Sequence, residues 1–387
     1  MKLIPFCGKG IGHENIIEEN TVIHKSGRLP VLLNLRSVLT LLILFSVSAQ
    51  AVMPPQSVPF TIESRQAAAS LFSELWPQYK AKFVTTEGNL IDSYHNISHS
   101  EGQGTAMLFA VYMNDRQTFD LSWDWTKRNL QRDDGLFAWH WQSDALPPVT
   151  DYNNATDGDI LIAWSLLLAY EKWNEPRYLE EGVKILSAIT ETLVVNFGGF
   201  TVLIPAAMHF VNENDITLNL SYYILPAFSL FAKYGDPQLW KKLYQDGLRM
   251  IEQVKRSSIP IPPDWLSLSH AGVFSFPVKQ GAKTGYDAIR VPLYLAWCDH
   301  PSLLDNYRRF WKSQGGWNNA SSWINLLTYE RSGYKPEPGI LAVRSLSYPD
   351  GGNQLFRRYP VKDYFSTSLI LFSLLAVMEG PEQCAFQ

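Results

Sequence analysis

Wholly apolar stretches alternate along this chain with stretches that are apolar on one side only, and few folds accommodate that alternation. The first kind occupies 106–113, 160–170 (interrupted by Ser165), 220–232, 288–297 (interrupted by Arg290 and Pro292) and 369–378. The second kind, with mixed charge, occupies 66–83, 117–130, 176–194, 236–255 and 302–313. A helix apolar all round must be wrapped by other structure, whereas a helix with one stripe covers a core and faces water. Glu175-Pro176 and Asp236-Pro237 mark helix starts, because proline lacks the N–H that a first turn leaves unbonded anyway. Weaker segments at 338–347 and 351–359 complete about six inner and six outer helices. The chain is therefore expected to be all-α, its hairpins arranged in a closed ring or a plain stack. In either arrangement the inner helices run parallel, and the loops that feed them share one face.

That face gathers chemistry. Glu101 (in His-Ser-Glu-Gly-Gln-Gly), Asp157 (Ala-Thr-Asp-Gly-Asp-Ile) and Asp287 (Gly-Tyr-Asp-Ala-Ile-Arg) each stand at the expected start of an inner helix, and Tyr222 shares their level. One acid there is ordinary, since free N–H groups and the helix dipole favour negative charge. Three acids converging on one end make the layout of an acid/base site. Connections 131–155 and 256–285 are longer than helix links usually are, and such loops are often functional. They carry Trp139, Trp141, Asp264 and Trp265, stiffened by Pro147-Pro148 and by Pro260, Pro262 and Pro263. Residues 314–337, with Gly315-Gly316, are expected to form a small strand hairpin. Aromatic residues make up 13% of the chain, which suits a large core and equally a cleft whose rings stack on sugars.

Charge and composition remove other classes. A formal charge of −4 and a pI near 6.1 give no basic surface for nucleic acid or membrane. The eight histidines show no metal-ligand spacing, so neither a metal nor another cofactor is expected. Besides Cys7, only Cys298 and Cys384 are present, and the sequence leaves open whether they are bridged or remain two thiols. Residues 37–48 form an apolar run too short to span a bilayer comfortably, preceded by Arg28 and Arg36 and followed by Ala49-Gln50-Ala51. This pattern predicts a signal peptide cut after Ala51, with an uncleaved anchor as the alternative. The polar prelude 1–27 is unusually long, as a true start near residue 22 or 29 would explain. Residues 1–51 are thus set apart as leader. No Gly-, Ser- or Pro-rich linker divides 52–387, which reads as a single catalytic domain destined for the periplasm or the cell exterior.

The strings Ser100-Glu101-Gly102-Gln103-Gly104, Ala155-Thr156-Asp157-Gly158-Asp159 with Ile162-Ala163-Trp164-Ser165-Leu166-Leu167, and Tyr286-Asp287-Ala288-Ile289-Arg290 resemble family 8 glycoside hydrolases. Within that family the resemblance is greatest to the periplasmic endoglucanases encoded with bacterial cellulose synthases. Asp124-Trp125-Thr126 with Asn129-Leu130, Ala138-Trp139-His140-Trp141 and Pro263-Asp264-Trp265 add to it, in the same order over about residues 70–378. The resemblance implies an (α/α)6 barrel and inverting hydrolysis of β-1,4-glucan, with Glu101 as general acid and Asp287 as general base. Asp157 would grip the distorted sugar between them, and Trp141, Tyr222, Tyr286, Arg290 and Tyr364 would contact the glucan. It further implies a cofactor-free monomer, off the membrane once the signal is cut, and associated in function with the cellulose synthase machinery. Inverting hydrolysis needs one protonated and one ionised carboxyl, roughly 6.5–9.5 Å apart with water between.

Three points qualify the resemblance. A helix N-terminus lowers a carboxyl pKa while a general acid must hold its proton, so the charge of Asp157 and burial are expected to push Glu101 up, with Arg290 keeping Asp287 ionised. Thr105-Ala106, Asn219-Leu220-Ser221-Tyr222 and Thr367, near Tyr364 and Phe365, depart from the usual family pattern at sugar-contacting positions. Acids at 133, 134, 144 and 151 leave room for a relative acting on chitosan, xylan or mixed-linkage glucan. A weakly active glucan-binding subunit of the export machinery is a further alternative, against which the retention of Glu101, Asp157 and Asp287 together argues.

Overall fold

In the computed structural model, which describes residues 60–348 and 352–386, inner and outer helices alternate along the chain. The leader and its cleavage site lie outside the described residues. The outer helices are α1 (Ile62–Phe83), α3 (Arg116–Leu130), α5 (Pro176–Leu193), α7 (Pro237–Arg256), α9 (Pro301–Ser313) and the single turn α11 (Gly352–Leu355). The inner ones are α2 (Ser100–Tyr112), α4 (Thr156–Trp173), α6 (Leu225–Tyr234), α8 (Arg290–Trp297), α10 (Pro338–Ser345) and α12 (Tyr364–Glu379). Burial follows the sequence pattern. In α7 one stripe is buried, Trp240, Leu243, Gly247, Met250, Ile251 and Val254. In α4 every residue from Thr156 to Leu167 is buried, and in α12 every residue from Ser366 to Val377.

Each inner helix packs on the next, from α2 through α4, α6, α8 and α10 to α12. The ring closes where α12 returns to α2: Phe372 meets Phe109 edge-on with centroids 5.0 Å apart, and the Tyr364 hydroxyl reaches Glu101. The fold is thus the (α/α)6 barrel, closed rather than stacked.

Its two ends differ. At one, inner helices turn into outer ones through very short links, three of which place Asn114, Asn174 and Asp299 in the left-handed region (φ 55°, 50° and 53°). Asn and Asp tolerate that conformation better than other residues with a Cβ. The next helix then starts on a cap, as where Asp115 Oδ1 accepts from Thr118 N and Asp236 Oδ1 from Gln238 N. Cys298, just past α8, is bridged at this end to Cys384 beyond α12, which answers the pairing question the sequence leaves open.

At the other end, the mouth, outer helices lead back into inner ones through long loops with short strands. Val194–Phe197 and Phe200–Leu203 form a hairpin turning on Gly198-Gly199. Asp215–Leu218, Leu266–Ser269 and Phe274–Ser275 form a three-stranded antiparallel sheet. Within 314–337 Ile324 bridges Arg331 in the antiparallel sense, flanked by Asn325 N to the Glu330 carbonyl at 2.8 Å and Ser332 N to the Trp323 carbonyl at 3.1 Å, a small hairpin where one is expected. Its Ile324–Asn325 arm also pairs with Lys283–Thr284 of another loop. Two inner helices start later than expected. Leu220–Tyr222 is a 3-10 turn ahead of α6, and Asp287 lies in a turn ahead of α8. Pro226 and Pro292 explain both starts, since each falls in the first turn, where a helix tolerates proline.

Candidate active site

The starts of α2 and α4 meet because two glycines let them. A Cβ on Gly158 would lie 2.6 Å from Ser100 Cβ and 2.9 Å from the backbone nitrogen of Glu101. One on Gly104 would lie 2.6 Å from Leu161 Cβ. Glu101 and Asp157 are therefore delivered side by side. The other polar residues of the two motifs brace the loops around them. Gln103 Nε2 donates to Thr126 Oγ1 at 2.7 Å while its carbonyl accepts from Leu90 N. Fully buried Asp159 accepts from Phe137 N at 2.9 Å and from Asn154 Nδ2 at 2.7 Å. Thr156 Oγ1 donates to the Ile204 carbonyl at 2.7 Å.

Asp287 reaches the same place from the α8 side, and Arg290 ties it in. Arg290 Nη2 lies 2.7 Å from Glu101 Oε1 and its Nη1 lies 3.3 Å from Asp287 Oδ1. Tyr364 donates to the same Glu101 oxygen at 3.0 Å. His99 caps α2, its Nδ1 accepting from Gly102 N at 3.0 Å, and its ring stands edge-on to Tyr364 with centroids 5.1 Å apart. Burial lowers the pKa of His99, so the ring is neutral and carries its proton on Nε2.

The proton balance in this cluster reverses the expectation for Glu101. Burial opposes the charge of Glu101, but Arg290 and the Tyr364 hydrogen bond outweigh it, and the carboxyl sits below its ordinary range. Asp157 is pushed well above its ordinary range, by burial first and then by the charges of Glu101 and Asp287. Asp287 is also raised, because burial and Glu101 together exceed the help of Arg290 and Asn219. Arg290 makes its shorter contact with Glu101 rather than with Asp287 in the turn before it, and of the three carboxyls Asp157 is pressed furthest toward its neutral form.

The remaining sequence-predicted residues fall around this cluster. The Tyr222 phenol lies near Asp157 and Asp287, and its ring meets Trp265 edge-on at 6.3 Å. Trp265 in turn stacks on Phe210 at 5.3 Å and 9°. Trp141 packs edge-on against Trp125 at 5.3 Å, and its strand pairs with Ser98–His99, immediately before α2. Tyr286, beside Asp287, packs against Phe365 at 5.3 Å, its hydroxyl meeting that of Tyr334 at 2.5 Å and donating to Glu337 at 3.0 Å. Two loop acids are engaged internally: Asp134 pairs with Arg132 at 2.5 Å, and Asp151 accepts from the Trp139 indole at 3.2 Å. The sequence assigns no role to His99 and none to Asn219 beyond its place in a string that departs from the family pattern. Their only signal is adjacency, His99 two residues before Glu101 and Asn219 opening the Asn-Leu-Ser-Tyr string.

A closed ring of paired helices with three carboxylates and one buried arginine gathered at the converging starts of its inner helices defines an (α/α)6 barrel with an acid-lined mouth. The chain belongs to the glycosyl hydrolases family 8, whose family model matches residues 38–379, and it is a glycoside hydrolase. It is 35% identical over 318 residues to a protein of Novacetimonas hansenii named a probable endoglucanase, covering 81% of this chain and 92% of that one. The fold is similar to that of endoglucanase Cel10, a family 8 glycosyl hydrolase from Klebsiella pneumoniae, with a TM-score of 0.74, 35% identity and coverage of 79% of this chain and 99% of that one. It is equally similar to endo-β-1,4-glucanase CMCax from Acetobacter xylinum, with a TM-score of 0.74, 32% identity and coverage of 81% and 99%.

Proposed function

We propose that this protein is an inverting endo-β-1,4-glucanase acting on cellulose-type glucan. The observation that carries the reading is the triad of Glu101, Asp157 and Asp287 around Arg290, in a family 8 member whose relatives are named endoglucanases. Glu101 serves as general acid, protonating the leaving glycosidic oxygen, and Asp287 as general base, drawing a proton from the attacking water. Asp157 holds the distorted sugar between them. Trp141, Tyr222, Tyr286, Arg290 and Tyr364 line the path of the glucan.

In the free protein Glu101 is ionised by Arg290 and cannot donate. A glucan chain entering the mouth separates that ion pair and expels water, and both changes raise the pKa of Glu101. A proton taken up at Asp157, whose pKa is raised, then passes to Glu101 within the coupled cluster, leaving an Asp157 anion facing the developing positive charge of the sugar. Engagement of Asp134 and Asp151 within the protein speaks against a cleft built for a cationic polymer such as chitosan. The Cys298–Cys384 bridge fits an oxidising compartment, in line with export by the leader, a periplasmic or secreted monomer and a part in bacterial cellulose biosynthesis.

The test is hydrolysis of carboxymethyl cellulose, lichenan, xylan and chitosan by the purified protein, with product anomers followed by NMR. Carboxymethyl cellulose should be cut fastest, with the α-anomer appearing first. Glu101→Gln should lower the rate at least ~10²-fold with unchanged circular dichroism. Initial release of the β-anomer, or normal turnover by the Gln variant, would overturn these assignments.

A further inference from the structure

We propose that Asp264 is a positioning residue for hydrolysis, holding the turn that aims the Asp287 carboxyl; the inference rests on the reading of Asp287 as the base. Glu101 and Asp157 ride on regular helices, whose ladders fix them. Asp287 does not. It sits in the turn between Lys283–Thr284 and α8, where the backbone is tied by Ile289 N to the Gly285 carbonyl and by Arg290 N to that of Asp287 itself, each at 3.1 Å. Asp264 supplies the rest. Its Oδ1 accepts from Gly285 N at 2.8 Å and from Ala288 N at 2.9 Å, so one carboxylate oxygen grips the backbone on both sides of Asp287.

The grip is itself anchored. Asp264 N donates to the Lys283 carbonyl at 2.7 Å, and Thr284 Oγ1 donates to the Pro262 carbonyl at 3.0 Å, so the two loop segments are stitched together in both directions. Two residues on, Leu266–Ser269 is the central strand of the mouth sheet. Asp264 is 7% exposed, too buried for water to replace its side chain freely. Gly285 admits the close approach: a Cβ there would lie 2.8 Å from Trp323 Cβ and 3.3 Å from Asp264 Oδ2. Removing the carboxylate leaves two buried N–H groups without an acceptor, and the turn must move to satisfy them. A reacting group displaced by about 1 Å can lose ~10² in rate.

The experiment compares Asp264→Ala, Asp264→Asn and Asp287→Asn with the wild-type full chain on a β-1,4-gluco-oligosaccharide, measuring kcat and KM well below the melting temperature of each. Asn keeps an oxygen that can accept both N–H groups, whereas Ala keeps none. Asp264→Ala is expected to lower kcat by on the order of 10²-fold with KM within about twofold, and Asp264→Asn to restore most of kcat. Where Ala fails to fold, Asp264→Glu, which keeps the charge but shifts the oxygen by a methylene, is expected to show the same contrast with Asn. Wild-type kcat in Asp264→Ala, equal losses in Ala and Asn, or a loss confined to KM would each overturn the positioning role. Normal turnover by Asp287→Asn would instead remove the base on which the inference rests, so the two failures are told apart.

Discussion

Arg290 neutralises two carboxylates with one guanidinium, and that economy shapes the residue-scale chemistry. With Glu101 taking the shorter contact, Asp287 is left partly compensated and correspondingly basic, as suits a group that must accept a proton from water. Asp287→Asn should therefore cost at least ~10² in turnover while oligosaccharide binding, read by calorimetry, stays near wild type, because the rings and Asp157 are untouched. Binding lost together with turnover would place Asp287 in substrate holding instead. Asp264 carries a stability signature of its own. Burial, and next the charge of Asp287, raise its pKa from 3.8 to about 7. Its folded form therefore holds a proton that the unfolded chain has released, and the contribution to stability, fully present below pH ~4, is lost as pH rises through about 7. Asn at this position has no such dependence. The melting temperature of Asp264→Asn relative to wild type should climb from about pH 4 to about pH 7 and level off above; a flat difference would refute the shift.

Among elements, the contact between α2 and α4 is the one on which the site depends. A methyl group on residue 158 would press on Ser100 and on the backbone of Glu101, so Gly158→Ala should push the two helix starts apart. The expected cost is about 1–3 kcal/mol of stability in denaturant melts, with a fall in kcat larger than that of any rim substitution. Wild-type kcat in this variant would mean that the acids need not be delivered side by side. The helices themselves were legible in the sequence, because burial on all sides or on one side leaves a periodic trace. Helix starts at the mouth were less so: the runs 220–232 and 288–297 stay apolar through turn and helix alike, and only Pro226 and Pro292 mark the change. The hairpin at 194–203 had a local signal too, since Gly198-Gly199 takes positive φ at both positions between two β-branched runs. Carboxylates at helix starts were readable, but the preference of Arg290 for Glu101, and with it the raised pKa of Asp157, was not. That preference depends on tertiary approach, which no spacing along the chain encodes.

For the molecule as a whole, ring closure brings α12 back to α2, and the disulfide ties the ends of α8 and α12 together at the end opposite the site. Cys298 and Cys384 are 86 residues apart, so the bridge removes much freedom from the unfolded chain. Cys384→Ser, or reduction of the wild type, should lower stability by about 2–4 kcal/mol, read as a drop in melting temperature, while kcat at moderate temperature stays within about twofold. Equal melting of oxidised and reduced protein would show that the bridge contributes nothing to the fold. The unequal ends carry a broader consequence. Short capped turns at one end hold the hairpins in register, while the loops at the other end are tied to the inner helices and to one another within their spans, as by Leu90 N on Gln103, Phe137 N on Asp159 and Asp264 on the turn of Asp287. Grafting that alters the choice of polysaccharide can thus exchange the loop tips between those ties, provided that Leu90, Phe137 and Asp264 keep their partners.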